Sequence, residues 1–186
     1  MDSRRRSSEQ LRDAYRVPGF TPCHTVTGVQ GDPHVRVVTL RRRVKKRSAA
    51  RVERRIARGI KDRQPRRVRD LPCGDVRVYL AFDLRCVDCR QCSGATRERL
   101  EWLSMNPHYT KRFAWYVGKQ CCGASVQEVA SDLRLDWHAV KEMDKLYLRE
   151  HLAVADVPQP TVIGMDEIST RKGHVYRIIA SDLELG

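Results

Sequence analysis

The chain has 186 residues, a formal net charge of +13 and seven cysteines. The cysteines are too unevenly spaced for a disulfide framework, and no apolar run approaches the ~18 residues of a membrane span. No apolar stretch of about 7–15 residues follows the basic start MDSRRRSSEQ, so no secretory signal is expected and a reducing cytoplasm is the expected location.

The charge is unevenly placed. Residues 1–72 hold 21 Lys or Arg against 7 Asp or Glu, which leaves 15 basic and 16 acidic residues for 73–186. A dense basic block suits a polyanion, because each phosphate neutralised releases condensed counterions. A solvated basic tail without a defined partner has the same composition. Residues 1–35 mix Arg, Ser, Pro and Gly with few periodic apolar positions. From Arg36 to Arg69 there are 16 basic residues, opposed by Glu53 and Asp62. Residues 1–70 are therefore expected to form a basic, largely disordered arm, with at most a marginal helix over Ser48–Ile60.

Character changes at Leu71. Val76, Val78 and Leu80 alternate with Arg77, Tyr79 and Ala81, which is the period-2 pattern of a half-buried strand. Cys86, Cys89 and Cys92 follow as two overlapping C-x-x-C units, a spacing that lets thiolates bite one Zn²⁺ from a tight turn. A closed site needs four ligands. Cys73, upstream, is the one candidate for a fourth, so a partial zinc site and simple thiols stay open beside a complete one. Residues 71–95 make up this small β and cysteine segment. Cys121 and Cys122 read as packing residues.

From Thr96 to about Leu152 the pattern turns helical, in three segments broken near Asn106-Pro107 and Gly123. Ser125 with Glu128 fits a capping box. Val126, Val129, Ala130 and Leu133 recur at helical spacing. After Arg134-Leu135, Asp136 can cap a second helix carrying Trp137, Val140, Met143 and Tyr147. That is the apolar template of a helix-turn-helix, although any three-helix core shows similar spacing. If the second helix enters a major groove, His138, Lys141, Glu142 and Lys145 share its outward face. Arg134 stands where the turn usually has glycine. This helical DNA-binding region is assigned residues 96–157.

Pro158-Gln159-Pro160 reads as a linker. Beyond it, an apolar strand ending on Asp166, a turn at Arg171-Lys172-Gly173 and a returning strand predict a β-hairpin. A strand-terminal Asp is ordinarily a turn residue, but a carboxylate so placed can also hold a divalent metal.

VIGMDEISTRKGHVYRIIASDL resembles the segment that opens the catalytic domain in the ISL-three family of insertion-sequence transposases. RRVRDLP followed by a strand and Cys89 to Cys92 resembles the family's zinc-binding segment, and SVQEVASDLRLDWHAVKEMD resembles its helix-turn-helix. The likeness runs from about Lys61 to Gly186. It implies an RNase H-like catalytic domain whose Asp-Asp-Glu triad holds Mg²⁺ or Mn²⁺, with Asp166 matching the first acid and Cys89 and Cys92 one half of a zinc site. Two features depart from the family. RVERRIARG stands where an earlier C-x-x-C is expected, and 20 residues follow Asp166 while the other two acids lie far downstream in the family.

The expected fold class is therefore α+β in several units: a mainly helical helix-turn-helix region, a small β and cysteine segment before it, and a truncated RNase H-like hairpin over residues 158–186. The expected function is that of a DNA-binding N-terminal transposase fragment unable to catalyse strand transfer alone. Its partners would be double-stranded terminal inverted repeats and a second copy or a full-length transposase, and no membrane. The other reading is a non-enzymatic helix-turn-helix regulator, which would have no use for the hairpin.

Overall fold

The computed structural model describes residues 11–43, 57–89, 95–155, 161–171 and 175–183. The chain forms two compact units, Met1–Arg149 and Glu150–Gly186. The first is built on a five-stranded sheet. Strands β1 (Phe20–Val29) and β2 (Asp32–Arg42) form an antiparallel hairpin, as do β3 (Ala57–Cys73) and β4 (Val76–Cys89). Gly31 (φ 80°) and Gly74 (φ 57°) sit in the two tight turns, where a side chain would be strained. The order is β1-β2-β4-β3, with β2 and β4 parallel from Val35↔Arg77 to Thr39↔Ala81. The short β5 (Ala95–Arg97) pairs with β4 from Cys86 to Asp88.

One face of this sheet is apolar. Val38, Leu40, Val68, Val78, Leu80, Phe82 and Leu84 are buried there with Tyr15, Val17, Phe20 and Trp102. Phe20, Phe82 and Trp102 meet edge to face, with ring centroids 5.0–5.7 Å apart. Each such pair adds roughly 0.5–1.5 kcal/mol beyond its burial.

Three helices complete the unit: α1 (Lys111–Gln120), α2 (Val126–Leu133) and α3 (Trp137–Leu152). Phe113, Ala114, Val117, Val129, Ala130, Val140 and Met143 close a second core among them. Gly118 lets α1 and α3 approach closely, since a Cβ placed there would lie 2.3 Å from Tyr147 Cβ. The helices are joined to β3 through backbone. The Arg69 N–H donates to the His108 carbonyl at 2.8 Å, and the Thr110 N–H to the Arg69 carbonyl at 3.0 Å. The second unit contains the antiparallel hairpin β6 (Ile163–Arg171) and β7 (Val175–Asp182).

This architecture corrects the expected fold class. The fold is α+β but not mainly helical: β1 to β4 run 10, 11, 17 and 14 residues, against 10, 8 and 16 for the helices. The expected disordered arm is also corrected, because residues 20–29, 32–42 and 57–70 are strand. The physical reason lies in β3. It is an edge strand, so Pro65 removes no needed ladder hydrogen bond, and Arg63, Arg67 and Arg69 lie on the face opposite the apolar one. Val68, between Arg67 and Arg69, is 1% exposed and anchors the strand. Most of the helix expected over Ser48–Ile60 lies outside the described residues, and residues 57–60 are strand. In the region expected to be helical, α-helix begins at Lys111 rather than near Thr96, after β5 and a run of turns. The 158–160 linker and residues 172–173 of the expected turn lie outside the described residues.

Candidate nucleic-acid interface

The helical pair α2–α3 is fixed by caps at the start of each helix and at the turn between them. The Ser125 side chain accepts from the Glu128 N–H at 3.3 Å, and Glu128 Oε2 accepts from the Ser125 N–H at 2.8 Å, so the capping box is present. Arg134 ends α2 in the left-handed region, with φ 51° and ψ 55°. A non-glycine residue there costs about 1–2 kcal/mol. Asp136 starts α3, its Oδ1 accepting from the N–H groups of His138 and Ala139 at 3.0 and 3.2 Å.

His138, Lys141, Glu142 and Lys145 are all exposed on α3, while Val140, Met143 and Tyr147 on the same helix are buried. The four do not act as independent groups. Lys145 Nζ donates to Glu142 Oε1 at 2.7 Å, and this bond holds the Glu142 carboxyl below the usual carboxylate range. Lys141 Nζ lies 5.6 Å from the centroid of the Trp137 ring. Trp137, 43% exposed, also lies against the His138 ring at a tilt of 30°, so an aromatic surface adjoins the charges. The sequence placed Trp137 among the apolar core positions; at the start of α3 it faces outward instead.

Sequence reasoning missed a second basic surface. On β3, residues 63, 67 and 69 point away from the apolar core, and their partners on β4 are Arg85, Ala81 and Tyr79. Arg63 and Arg67 are exposed, and Arg85 has its proton affinity lowered by burial and by nearby Arg42 and Arg63. Arg77 on the same face is paired with Asp32. The signal was in Arg67-Val68-Arg69, a period-2 pattern that is easily taken for plain charge density.

The cysteines fall in a different geometry from the one their spacing suggested. Cys86 and Cys89 are in the extended backbone of β4 rather than in a tight turn, and Cys92 lies outside the described residues. Cys73 pairs with Val76 at the far end of the hairpin. Ten residues of strand separate Val76 from Cys86, about 33 Å, so Cys73 cannot join it on one metal ion. It lies instead beside Tyr15, whose phenol is pushed up to about 12, chiefly by burial. Cys121 packs against the helical core, while Cys122 is exposed.

Asp166 lies within β6 opposite Ile179, not at the strand's end, and its Oδ1 accepts from the Glu167 N–H at 2.8 Å. Among the described residues no group of three or more His, Cys, Asp or Glu could hold a metal ion. The described side chains thus do not assemble a divalent-metal triad around Asp166. No described helix is long and apolar enough to cross a membrane.

The structure thus combines a strand-rich base with a capped helical pair, and carries exposed arginines on the sheet and exposed lysines on the outer helix. Over 117 residues the chain is 38% identical to the transposase for insertion sequence element IS1001 of Bordetella parapertussis. That stretch is 63% of this chain and 29% of the relative, so the chain spans less than a third of the protein it matches. No family model and no solved structure matches.

Proposed function

We propose that this chain is a DNA-binding part of an insertion-sequence transposase of the ISL-three family. The observation that carries the reading is its similarity to the IS1001 transposase, a protein named for an insertion sequence element. In this reading α2 and α3 act as a helix-turn-helix, with α3 in the major groove and His138, Lys141, Glu142 and Lys145 toward the base edges. The arginines of β3 supply sequence-independent attraction to phosphates. The expected target is the terminal inverted repeat of an element.

The β6–β7 hairpin is in this reading the opening of an RNase H-like fold, with Asp166 as the first acid for Mg²⁺ or Mn²⁺. Strand cleavage and transfer take several carboxylates in one place, so the part assigned to the described residues is binding. Cys86, Cys89 and Cys92 remain the proposed zinc-binding segment, and a second copy or a longer transposase is the proposed protein partner.

The test is binding of the purified chain to inverted-repeat duplexes, titrated with salt and with competitor DNA. Selective binding that survives competitor and is weakened by Lys141→Ala with Lys145→Ala supports the reading. Equal affinity for every duplex, unchanged by those substitutions, refutes the recognition role of α3.

A further inference from the structure

We infer that the pocket between the β3–β4 edge and the α2–α3 turn is a clamp for one phosphodiester of the DNA backbone. The inference rests on the DNA-binding reading and adds a specific site to it.

The pocket has a volume of about 290 Å³ and is lined by residues of both structural layers. Arg67 and Arg69 come from β3, Tyr79 from β4, and Arg134 and Asp136 from the turn. Arg69 is the decisive residue. It is 3% exposed, its Nη2 donates to the Leu133 carbonyl at 3.2 Å, and its guanidinium lies over the rings of Phe113 and Tyr79 at 5.1 and 5.7 Å. Its Nε is buried and has no hydrogen-bond partner. No carboxylate pairs with Arg69, Arg67 or Arg134 among the described residues.

A buried cation without a counter-charge is unfavourable unless something supplies one. Burial accordingly lowers the proton affinity of Arg69. Three guanidiniums converge here against the single carboxylate of Asp136, which the backbone of α3 already engages. His108 and Tyr109 add a second set of polar groups at the rim. Arginine forks match phosphate oxygens geometrically.

Arg134 supplies an independent observation. It adopts the left-handed backbone that favours glycine, yet carries a long cationic side chain beside the pocket. Backbone strain of this kind collects where a side chain has work to do. A phosphate seated against Arg67, Arg69 and Arg134 would lie beside the α2–α3 turn and fix how α3 meets the groove.

Arg134→Gly tests this without depending on Arg69, whose replacement threatens the fold. Glycine suits the local backbone, so the variant should melt no lower than the parent chain. Its duplex affinity should fall about tenfold, the scale of one charge-assisted hydrogen bond. The slope of log K against log salt should become shallower by about one. Arg67→Ala should act likewise, and the two losses should combine to less than their sum because both act on one phosphate. Melting in sodium phosphate against sodium chloride at equal ionic strength separates the possible sources of the anion. Stabilisation by free phosphate that Arg134→Gly abolishes, with unchanged duplex binding, would assign the pocket to free phosphate and overturn the backbone clamp. Duplex binding that depends on Lys141 and Lys145 but not on Arg134 or Arg67 would overturn the clamp and leave the DNA-binding reading standing. Failure of the parent chain to bind any duplex would overturn both.

Discussion

The Arg112 guanidinium engages both oxygens of the buried Asp70 carboxylate, donating from Nε to Oδ1 at 2.8 Å and from Nη2 to Oδ2. Asp70 is near the end of the arginine-bearing β3 and Arg112 is in the first turn of α1, so the pair ties the sheet to the helices. Thr110 Oγ1 adds a third hydrogen bond to Asp70 at 2.7 Å and also caps α1 by accepting from the Phe113 N–H. The side chain of Asp70 is 0% exposed and that of Arg112 34% exposed, so, unlike the breaking of a surface ion pair, removal of Arg112 leaves a buried charge without its counter-ion. Replacing Arg112 with Met leaves a buried carboxylate with one hydroxyl donor. Urea unfolding should show a loss of about 3 kcal/mol, and adding Asp70→Asn to that variant should restore part of it. Equal stability of Arg112→Met and the parent chain would show that the pair contributes nothing net.

Gly118 sets the distance between α1 and α3. A Cβ at this position would meet Tyr147 Cβ at 2.3 Å and Cγ at 2.7 Å, atoms near the backbone that cannot swing away. Gly118→Ala gains helix propensity but overpacks the crossing, and the clash should dominate, with a net loss of about 1–3 kcal/mol. Thermal denaturation followed by helix signal checks it. A raised melting temperature would mean that the helices separate at little cost.

The capping box makes a prediction about pH. The side-chain and backbone hydrogen bonds from Ser125 lower the pKa of Glu128 below its ordinary 4.5. A depressed carboxylate contributes stability that is complete above the unfolded value and is lost as pH falls through the lower folded one. Glu128→Gln keeps the box geometry without the titration. The parent chain should therefore lose more stability than this variant as pH falls from 6 through the region below 4.5. Parallel curves for the two proteins would count against it. Separately, Ser125→Ala should cost about 1 kcal/mol at neutral pH.

The capped pair was readable because its signals are local. Ser125 and Glu128 are three residues apart, Asp136 directly precedes its helix, and Val129, Ala130, Val140 and Met143 fall at helical spacing and are buried. Strand character at Val76, Val78 and Leu80, at residues 163–171 and at residues 175–182 was legible for the same reason. Strands β1, β2 and β3 were not, because what orders them is distant. Phe20 meets Phe82 and Trp102, and Val68 becomes a core residue through its pairing with Leu80. Neither partnership can be seen from the neighbouring residues. Arginines on an edge strand and in a disordered tail give the same composition, so charge density carried no information about backbone. Arg69 went unnoticed as a site residue because its burial depends on the α2–α3 turn packing over β3, as its bond to Leu133 records.

The β6–β7 hairpin exposes apolar side chains. Alternation along the strands puts Ile163 and Met165 on the same face as Ile178 and Tyr176, and these are 57%, 78%, 75% and 49% exposed. Ile168 and Ile179 are exposed on the opposite face, so both faces of this ribbon carry exposed apolar side chains. Two strands with apolar side chains in water and unpaired edges favour association with like strands. Sedimentation should show concentration-dependent self-association. Met165→Lys with Ile178→Lys should weaken it while leaving the helix signal of α1–α3 and duplex binding per chain unchanged. These positions are non-adjacent across the ribbon, so the new charges are placed on its most exposed apolar surface without facing each other directly. A monomeric parent chain at all concentrations would refute the idea. Loss of helix signal in the double variant would show instead that these side chains support the fold.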